Sequence, residues 1–584
     1  MFSQSFYSKV VDVLGGSKYQ LIFIFLAFLA NVVLELLGLS LVAPYLSLLL
    51  NPTSELSGFV SGSVKYIFPD TPNYNARFNL SILLGSVYFI KILFSLSLLA
   101  IITFFLNKLT AKLSIELLVK LFTEPQLARA DKNSAKDIQS LLVLSKNFPN
   151  QVVKPLLSLV SDILVITSIL IFLIFAIGDK LYFAVLYFCI TLALYFALFK
   201  NLQKKWGKAV NSAADSSVTT FSESNAGLKQ IKVLGIESFF IHRMERATRL
   251  YVKNQFFSQI IVQAPKHIFE LSAVLGMILF VLTNYSESSP NDLITSIGLI
   301  AVAMLRVLPS FASVSRSLVL ISSQHDTVER LHSIIDVKKD NQIGSHSGSK
   351  KHSEPFQSLK ISKLKFSYSE NTKTLINGLT IDINKGEIIG ITGSSGAGKS
   401  TFLDLIMGLI EPNSGDISFN GVSIKNCKEN FYSKIMYIPQ EPFIIDGSIQ
   451  DNIAIGVNPS SVDVEMLNKA ISISKLEPLV ANHQNGVHFH VGENGKKLSG
   501  GQRQRLQIAR AIYMKRDFLV FDEATSALDI KTENQILSEL CALRGICTVL
   551  IVSHRSNLKK YCSKYFVLKK GELVHKTSVK GIGV

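Results

Sequence analysis

Apolar residues gather into six long runs in the first half of the chain, near residues 20–50, 78–106, 155–177, 181–200, 257–283 and 293–320. Each reaches the ~20 residues a helix needs to cross a bilayer, where every backbone polar group must be satisfied internally. Six such runs in one half-chain predict membrane spans rather than the core of a soluble domain. Beyond about residue 325 the runs shorten. Glu387–Thr392 reads as a strand and Thr401–Leu409 as a helix, so the second half is expected to be a soluble α/β domain. Residues 336–357, DVKKDNQIGSHSGSKKHSEPFQ, are polar, rich in Gly, Ser and Lys and without apolar period, which predicts a flexible linker.

Charge gives the spans a direction. The connections 107–154 and 200–254 carry eight and ten Lys/Arg, whereas 51–77, 178–180 and 284–292 carry two, one and none. Basic connections stay cytoplasmic, so both ends of the six-span unit are expected on the cytoplasmic side. Both basic connections are too long for turns. They are expected to prolong the helices into the cytoplasm and fold back, with tips at 122–138 and 228–244. In the first outer loop, Leu56, Phe59, Val60, Val64, Ile67 and Phe68 fall at helical spacing. That stripe suits a short helix lying on the outer membrane surface or packed on neighbouring spans.

The net charge of +17 over 584 residues would also suit a nucleic-acid binder. Its position on membrane-proximal extensions removes that reading, and no nucleic-acid partner is expected. The first twenty residues lack a short apolar core with a cleavage site and read as an amphipathic segment, not a cleaved leader. The five cysteines show no metal-ligand spacing and read as reduced thiols.

The chemistry sits in the second half. Gly393-Ser394-Ser395-Gly396-Ala397-Gly398-Lys399-Ser400 is a P-loop between the strand and the helix that opens at Thr401. Its glycines let backbone N–H groups converge on phosphate oxygens, Lys399 supplies a point charge, and Ser400 can ligate Mg²⁺. Downstream, the strand Asp517–Glu523 ends in two carboxylates. Adjacent strand residues point to opposite faces, so the two serve different tasks. Asp522 suits a Mg²⁺ ligand, and Glu523 suits the group that polarises the attacking water. The fold class expected is an all-α six-helix transmembrane domain (1–335), a linker (336–357) and an α/β P-loop nucleotide-binding domain (358–584).

Leu498-Ser499-Gly500-Gly501-Gln502-Arg503-Gln504-Arg505 resembles the signature motif of ATP-binding-cassette (ABC) proteins. The resemblance covers about 358–575 by motif and the membrane half by arrangement. It implies that Tyr368 stacks on adenine, that Gln440 touches Mg²⁺, and that Ser526–Asp529 forms the D-loop. It further implies that His554 is the switch histidine at the γ-phosphate, and that Gly492–Gly495 contacts the membrane domain. With no degenerate position, the site is expected to hydrolyse ATP. In this family the signature of one cassette completes the ATP site of another, which implies a homodimer with two composite sites.

Cargo is a separate question. Lys91, Lys266 and Arg306 lie inside spans two, five and six, at roughly 20–25 Å below the outer helix ends by ~1.5 Å per residue. Intramembrane charge needs a partner or a wet cavity. A cation ring would suit an anionic head group such as a pyrophosphate. Alternatively, the cations pair with Glu35 and Glu270, which still leaves three cations facing two anions. The membrane half also resembles bacterial flippases for lipid-linked oligosaccharides, through Ser40–Pro44, Leu305–Ser310 and the basic residues of spans two, five and six. Two of the three cations are lysines where that group suggests arginine, and lysine lacks the bidentate fork. The resemblance implies a bacterial inner-membrane flippase of a polyprenyl-pyrophosphate glycan. The alternatives are an exporter of peptides or hydrophobic drugs and a nucleotide-gated channel or sensor.

Overall fold

The computed structural model describes residues 4–16, 18–50, 73–123, 143–178, 187, 190, 205–206, 209–210, 212–284, 290–336, 354–368, 374–523, 534–535, 537–538, 545, 547–553 and 556–575. The chain forms two compact units, one of Met1–Glu124 with Lys132–Ile343, the other containing Gly344–Val584.

The first unit is helical. Its described elements are α1 (Gln4–Leu14), α2 (Lys18–Leu50), α3 (Asn73–Thr123), α4 (Lys154–Ile177), α5 (Leu228–Leu234), α6 (Glu237–Asn284), α7 (Pro290–Ser323) and α8 (His325–Asp336). Five helices among the described residues are long and apolar enough to cross a membrane: Tyr19–Leu46, Phe78–Thr123, Val143–Ile177, Glu237–Asn284 and Leu293–Ser322. The expected span at 181–200 lies outside the described residues, apart from Tyr187 and Ile190. So do the outer stripe at 56–68, the first tip beyond Thr123 and most of the linker.

Helix lengths bear out the expected extensions. The 51 residues of α3 and 48 of α6 give roughly 75 Å each at 1.5 Å per residue, against ~30 Å of hydrocarbon. At the second tip Gly235 adopts φ +65° and ends α5. The Ile236 N–H donates to the Ile231 carbonyl, the closing bond that a left-handed glycine permits. The transmembrane helices pack through Leu39, Ile169, Phe269, Phe280, Ala303 and Phe311, with the Phe269 and Phe311 rings 5.4 Å apart. Large apolar side chains such as Phe104, Phe175 and Leu282 face outward, as hydrocarbon solvent allows.

The second unit has two sheets. β1 (Ser358–Phe366), β2 (Ile376–Asn384), β4 (Ser414–Phe419) and β5 (Val422–Ser423) form an antiparallel sheet ordered β2-β1-β4-β5. The other is ordered β10-β9-β3-β8-β7-β6, with β3 at Ile388–Gly393, β6 at Ile435–Ile438 and β7 at Phe518–Asp522. Its remaining strands are β8 at Thr548–Ser553, β9 at Lys564–Lys569 and β10 at Glu572–His575. β3 pairs in parallel with both β8 and β9. Strands buried on both sides read as unbroken apolar runs, which is why Ile388–Ile391 and Thr548–Val552 show no alternation. The P-loop leaves the carboxyl end of this central strand, where ligands of open α/β sheets bind.

Candidate functional site

Backbone geometry shapes the phosphate loop first. Gly396 and Gly398 take φ +75° and +94°, a region closed to most side chains. A Cβ on Gly393 would meet the Leu568 carbonyl oxygen at 2.8 Å. The loop opens directly into α9 (Lys399–Ile406), which aims free N–H groups and the positive helix end at the loop. Lys399 is buried, and its Nζ donates to the Gly393 and Ser394 carbonyls at 3.0 and 3.2 Å. It also lies 3.4 Å from Glu523. The structure therefore brings the P-loop lysine and the proposed water-polarising carboxylate together.

Glu523 itself has φ +47°, costly for a residue with a Cβ, and its N–H is fixed on the Val552 carbonyl at 2.9 Å. Neighbouring Asp522 ends β7, where burial foremost, with Glu523 beside it, pushes its carboxyl above the usual range. Tyr437 donates to Asp522 Oδ2 at 3.0 Å. Burial and the Asp522 charge push the Tyr437 hydroxyl far up, so it stays a donor. Asp404, on α9, is pushed up to about 6 by burial and then by Asp522. Neither Tyr437 nor Asp404 was singled out from sequence. Tyr437 lies three residues before Gln440, but only the strand pairing brings it to Asp522.

Tyr368 bonds Thr401 Oγ1 through its hydroxyl at 2.9 Å and leaves its ring half exposed, a surface on which a planar base can stack. In the signature segment, Ser499 caps α10 (Gly500–Tyr513) and closes a capping box with Gln502, at 3.3 Å and 2.8 Å. Those two side chains thus hold the helix start, leaving Gly500 and Gly501 as bare backbone at its tip. Buried Arg510, further along α10, donates to the carbonyls of Asn452 and Phe443 at 2.7 and 3.0 Å. It ties the signature helix to the segment that follows Gln440. Asp529 and His554 lie outside the described residues.

Ser400, Gln440 and Asp522 offer only oxygen donors, the chemistry Mg²⁺ prefers. No group of three or more His, Cys, Asp or Glu able to cage a metal occurs among the described residues. A hydroxyl, an amide and one carboxylate fit a Mg²⁺ that takes most of its remaining ligands from phosphates and water. When bound, that ion would neutralise charge on the transferring phosphate.

In the membrane unit, two of the three intramembrane cations meet on one acid. Lys91 Nζ donates to Glu35 Oε1 at 2.8 Å, and Arg306 Nε lies 2.8 Å from Glu35 Oε2. The Arg306 N–H is not aimed at that oxygen, so the contact is ionic without a directed hydrogen bond. Glu35 and Lys91 are buried, and Lys91 also lies 4.9 Å above the Tyr88 ring. Arg306 keeps 42% of its side chain exposed. Lys266 is not part of this cluster: it is 63% exposed and pairs with Glu270 at 3.9 Å on its own helix, beside His267. A further acid, Asp162 on α4, accepts from Ser310 and Ser313 within the field of Arg306. Among the described residues a third acid therefore lies near the three cations, where only two were expected. Asp162 was legible as a charge within the third apolar run.

A helical membrane unit with a P-loop cassette defines an ATP-driven membrane exporter, and comparison with known proteins agrees. Residues 376–526 match the ABC transporter family. An ATP-dependent lipid A-core flippase of Ralstonia nicotianae is 25% identical over 484 residues, covering 81% of this chain and 80% of that protein. The leukotoxin export ATP-binding protein of Aggregatibacter actinomycetemcomitans is 35% identical, but over only 36% of this chain and 30% of its own. The structure of a bacterial Atm1-family ABC exporter with ATP bound covers 96% of this chain and 94% of its own, with a TM-score of 0.74 at 18% identity. Together these likenesses support an ABC exporter half-transporter, a multi-pass membrane protein whose cassette couples ATP hydrolysis to transport.

Proposed function

We propose that this half-transporter works as a homodimer in a bacterial inner membrane, with its N-terminus and cassette cytoplasmic. Its proposed cargo is a lipid-linked oligosaccharide carried on polyprenyl pyrophosphate. The observation that carries the cargo reading is Arg306. It is a half-exposed guanidinium deep in the apolar unit, held along one edge by Glu35 and making no directed hydrogen bond among the described residues. A planar fork of that kind matches a phosphate or carboxylate bidentately. Relatives named as lipid A-core flippases favour a lipid cargo over a peptide. Lys91 serves to neutralise Glu35. Exposed Lys266, with His267, remains a second cationic contact.

ATPase stimulation in proteoliposomes by polyprenyl-pyrophosphate glycans, peptides and hydrophobic cations tests the reading. Stimulation by the pyrophosphate lipid alone, lost at least tenfold in Arg306→Ala and partly kept in Arg306→Lys, is expected. Stimulation by peptides or drugs with no response to the anionic lipid would eliminate it.

In the cassette, we assign Tyr368 to adenine, Gly393–Thr401 to the phosphates, and Ser400, Gln440 and Asp522 to Mg²⁺. Glu523 polarises the water, aided by His554, and Ser499–Gln502 with Asp529 complete the site of the partner copy. The nucleotide binds the closed pair best, and hydrolysis releases it. Lys399→Ala and Ser499→Arg should each be inactive as homodimers. Co-assembled at equal amounts they should recover up to about a quarter of the wild-type rate, because half the dimers keep one of two composite sites. Full activity in either homodimer would refute sharing.

A further inference from the structure

The geometry points to Tyr437 as a positioning residue for the metal carboxylate: its hydroxyl holds Asp522 Oδ2 and so orients the carboxylate that would serve as a Mg²⁺ ligand. This rests on the assignment of Asp522 to Mg²⁺ and adds a residue outside the recognised motifs.

β6 and β7 pair in parallel, with Tyr437 opposite Val520. Paired residues share a sheet face, and Asp522 lies two residues beyond Val520, so Tyr437 and Asp522 project to the same side. The hydroxyl reaches Asp522 Oδ2 at 3.0 Å. That bond occupies one carboxylate oxygen and restrains the terminal carboxylate torsion, which is otherwise broad. The restraint is useful here because Asp522 has acids on two sides, Glu523 next in sequence and Asp404 on α9. Lys399 also acts on Asp522, so without a donor the carboxylate would be free to turn among these charges. Tyr437 also sits three residues before Gln440, so the segment bearing one proposed Mg²⁺ ligand carries the group that orients another.

A purely packing role for Tyr437 predicts something different, and Tyr437→Phe separates the two because it removes only the hydroxyl. The full-length protein in nanodiscs is titrated with Mn²⁺ in the presence of a non-hydrolysable ATP analogue, free Mn²⁺ being read by electron paramagnetic resonance. Nucleotide binding in EDTA and the Mg²⁺ dependence of ATPase activity are measured in parallel. A hydrogen bond to a charged group is among the stronger ones, so Mn²⁺ affinity and half-maximal Mg²⁺ should both weaken about five- to tenfold. Metal-free nucleotide affinity should stay within about twofold, and saturating Mg²⁺ should restore the rate. Unchanged Mn²⁺ affinity, with or without a lower melting temperature, would assign Tyr437 to packing and overturn the inference. A parallel loss of metal-free nucleotide binding would overturn it too. If metal affinity proved insensitive to Asp522→Asn as well, the Mg²⁺ assignment of Asp522 would fail instead.

Discussion

Glu523→Gln should reduce steady-state ATP hydrolysis by at least ~100-fold while leaving ATP bound. The substitution keeps the size and hydrogen-bonding shape of the side chain. The left-handed backbone at Glu523 and its bond to Val552 are main-chain features, and glutamine preserves them. What disappears is the charge proposed to polarise the attacking water. A second consequence follows from the 3.4 Å pairing of Lys399 with Glu523. Neutralising the carboxylate removes a competitor for the lysine, so ATP binding should hold or tighten. The variant is therefore expected to accumulate as an ATP-bound dimer, measurable by retained nucleotide and by the absence of phosphate release. Near-normal turnover would remove Glu523 from its assigned role.

The cassette was largely legible because its chemistry is local in sequence. Gly393–Ser400 carries its own turn, phosphate cradle and helix start, so eight consecutive residues define a site before any tertiary contact forms. The carboxylates Asp522 and Glu523 are likewise consecutive, but the expected strand Asp517–Glu523 is shorter in the structure: β7 ends at Asp522 and Glu523 turns off it with φ +47°, so strand alternation does not set their directions. The contacts of Tyr437 and Arg510 were not legible: each crosses from one element to another, 85 residues away for Tyr437–Asp522 and 58 for Arg510–Asn452. The membrane unit shows the same division. Hydropathy found the five long apolar helices among the described residues, and counting residues gives Lys91, Lys266 and Arg306 similar expected depths. Depth says nothing about azimuth. Rotation of each helix about its axis decides which cations meet, and it joined Lys91 and Arg306 on Glu35 while turning Lys266 outward. Asp162 was legible as a charge, but its contacts were not, because its serine partners lie on another helix.

That azimuthal outcome predicts a steep contrast among charge removals in the membrane unit. Glu35→Ala leaves buried Lys91 and half-exposed Arg306 without the carboxylate both share. Breaking a buried pair by deleting one partner strands the other charge, a loss of ~3–5 kcal/mol. The melting temperature in detergent should fall accordingly, or the variant should aggregate during purification. Lys91→Ala should also destabilise, though less, because Arg306 still neutralises Glu35. The double replacement Glu35→Leu with Lys91→Met should recover most of the stability, since apolar residues of similar volume commonly replace a buried pair without cost. Arg306 remains in that variant with Asp162 nearby, so its affinity for an anionic lipid can be read apart from folding. Lys266→Ala marks the other extreme. Its pair with Glu270 is long and neither side chain is enclosed by the chain, so stability should change far less than in Glu35→Ala. Equal melting temperatures for Glu35→Ala and Lys266→Ala would show that the Glu35 cluster is not a buried ion pair. Failure of the double variant to recover would show that Glu35 does more than balance charge.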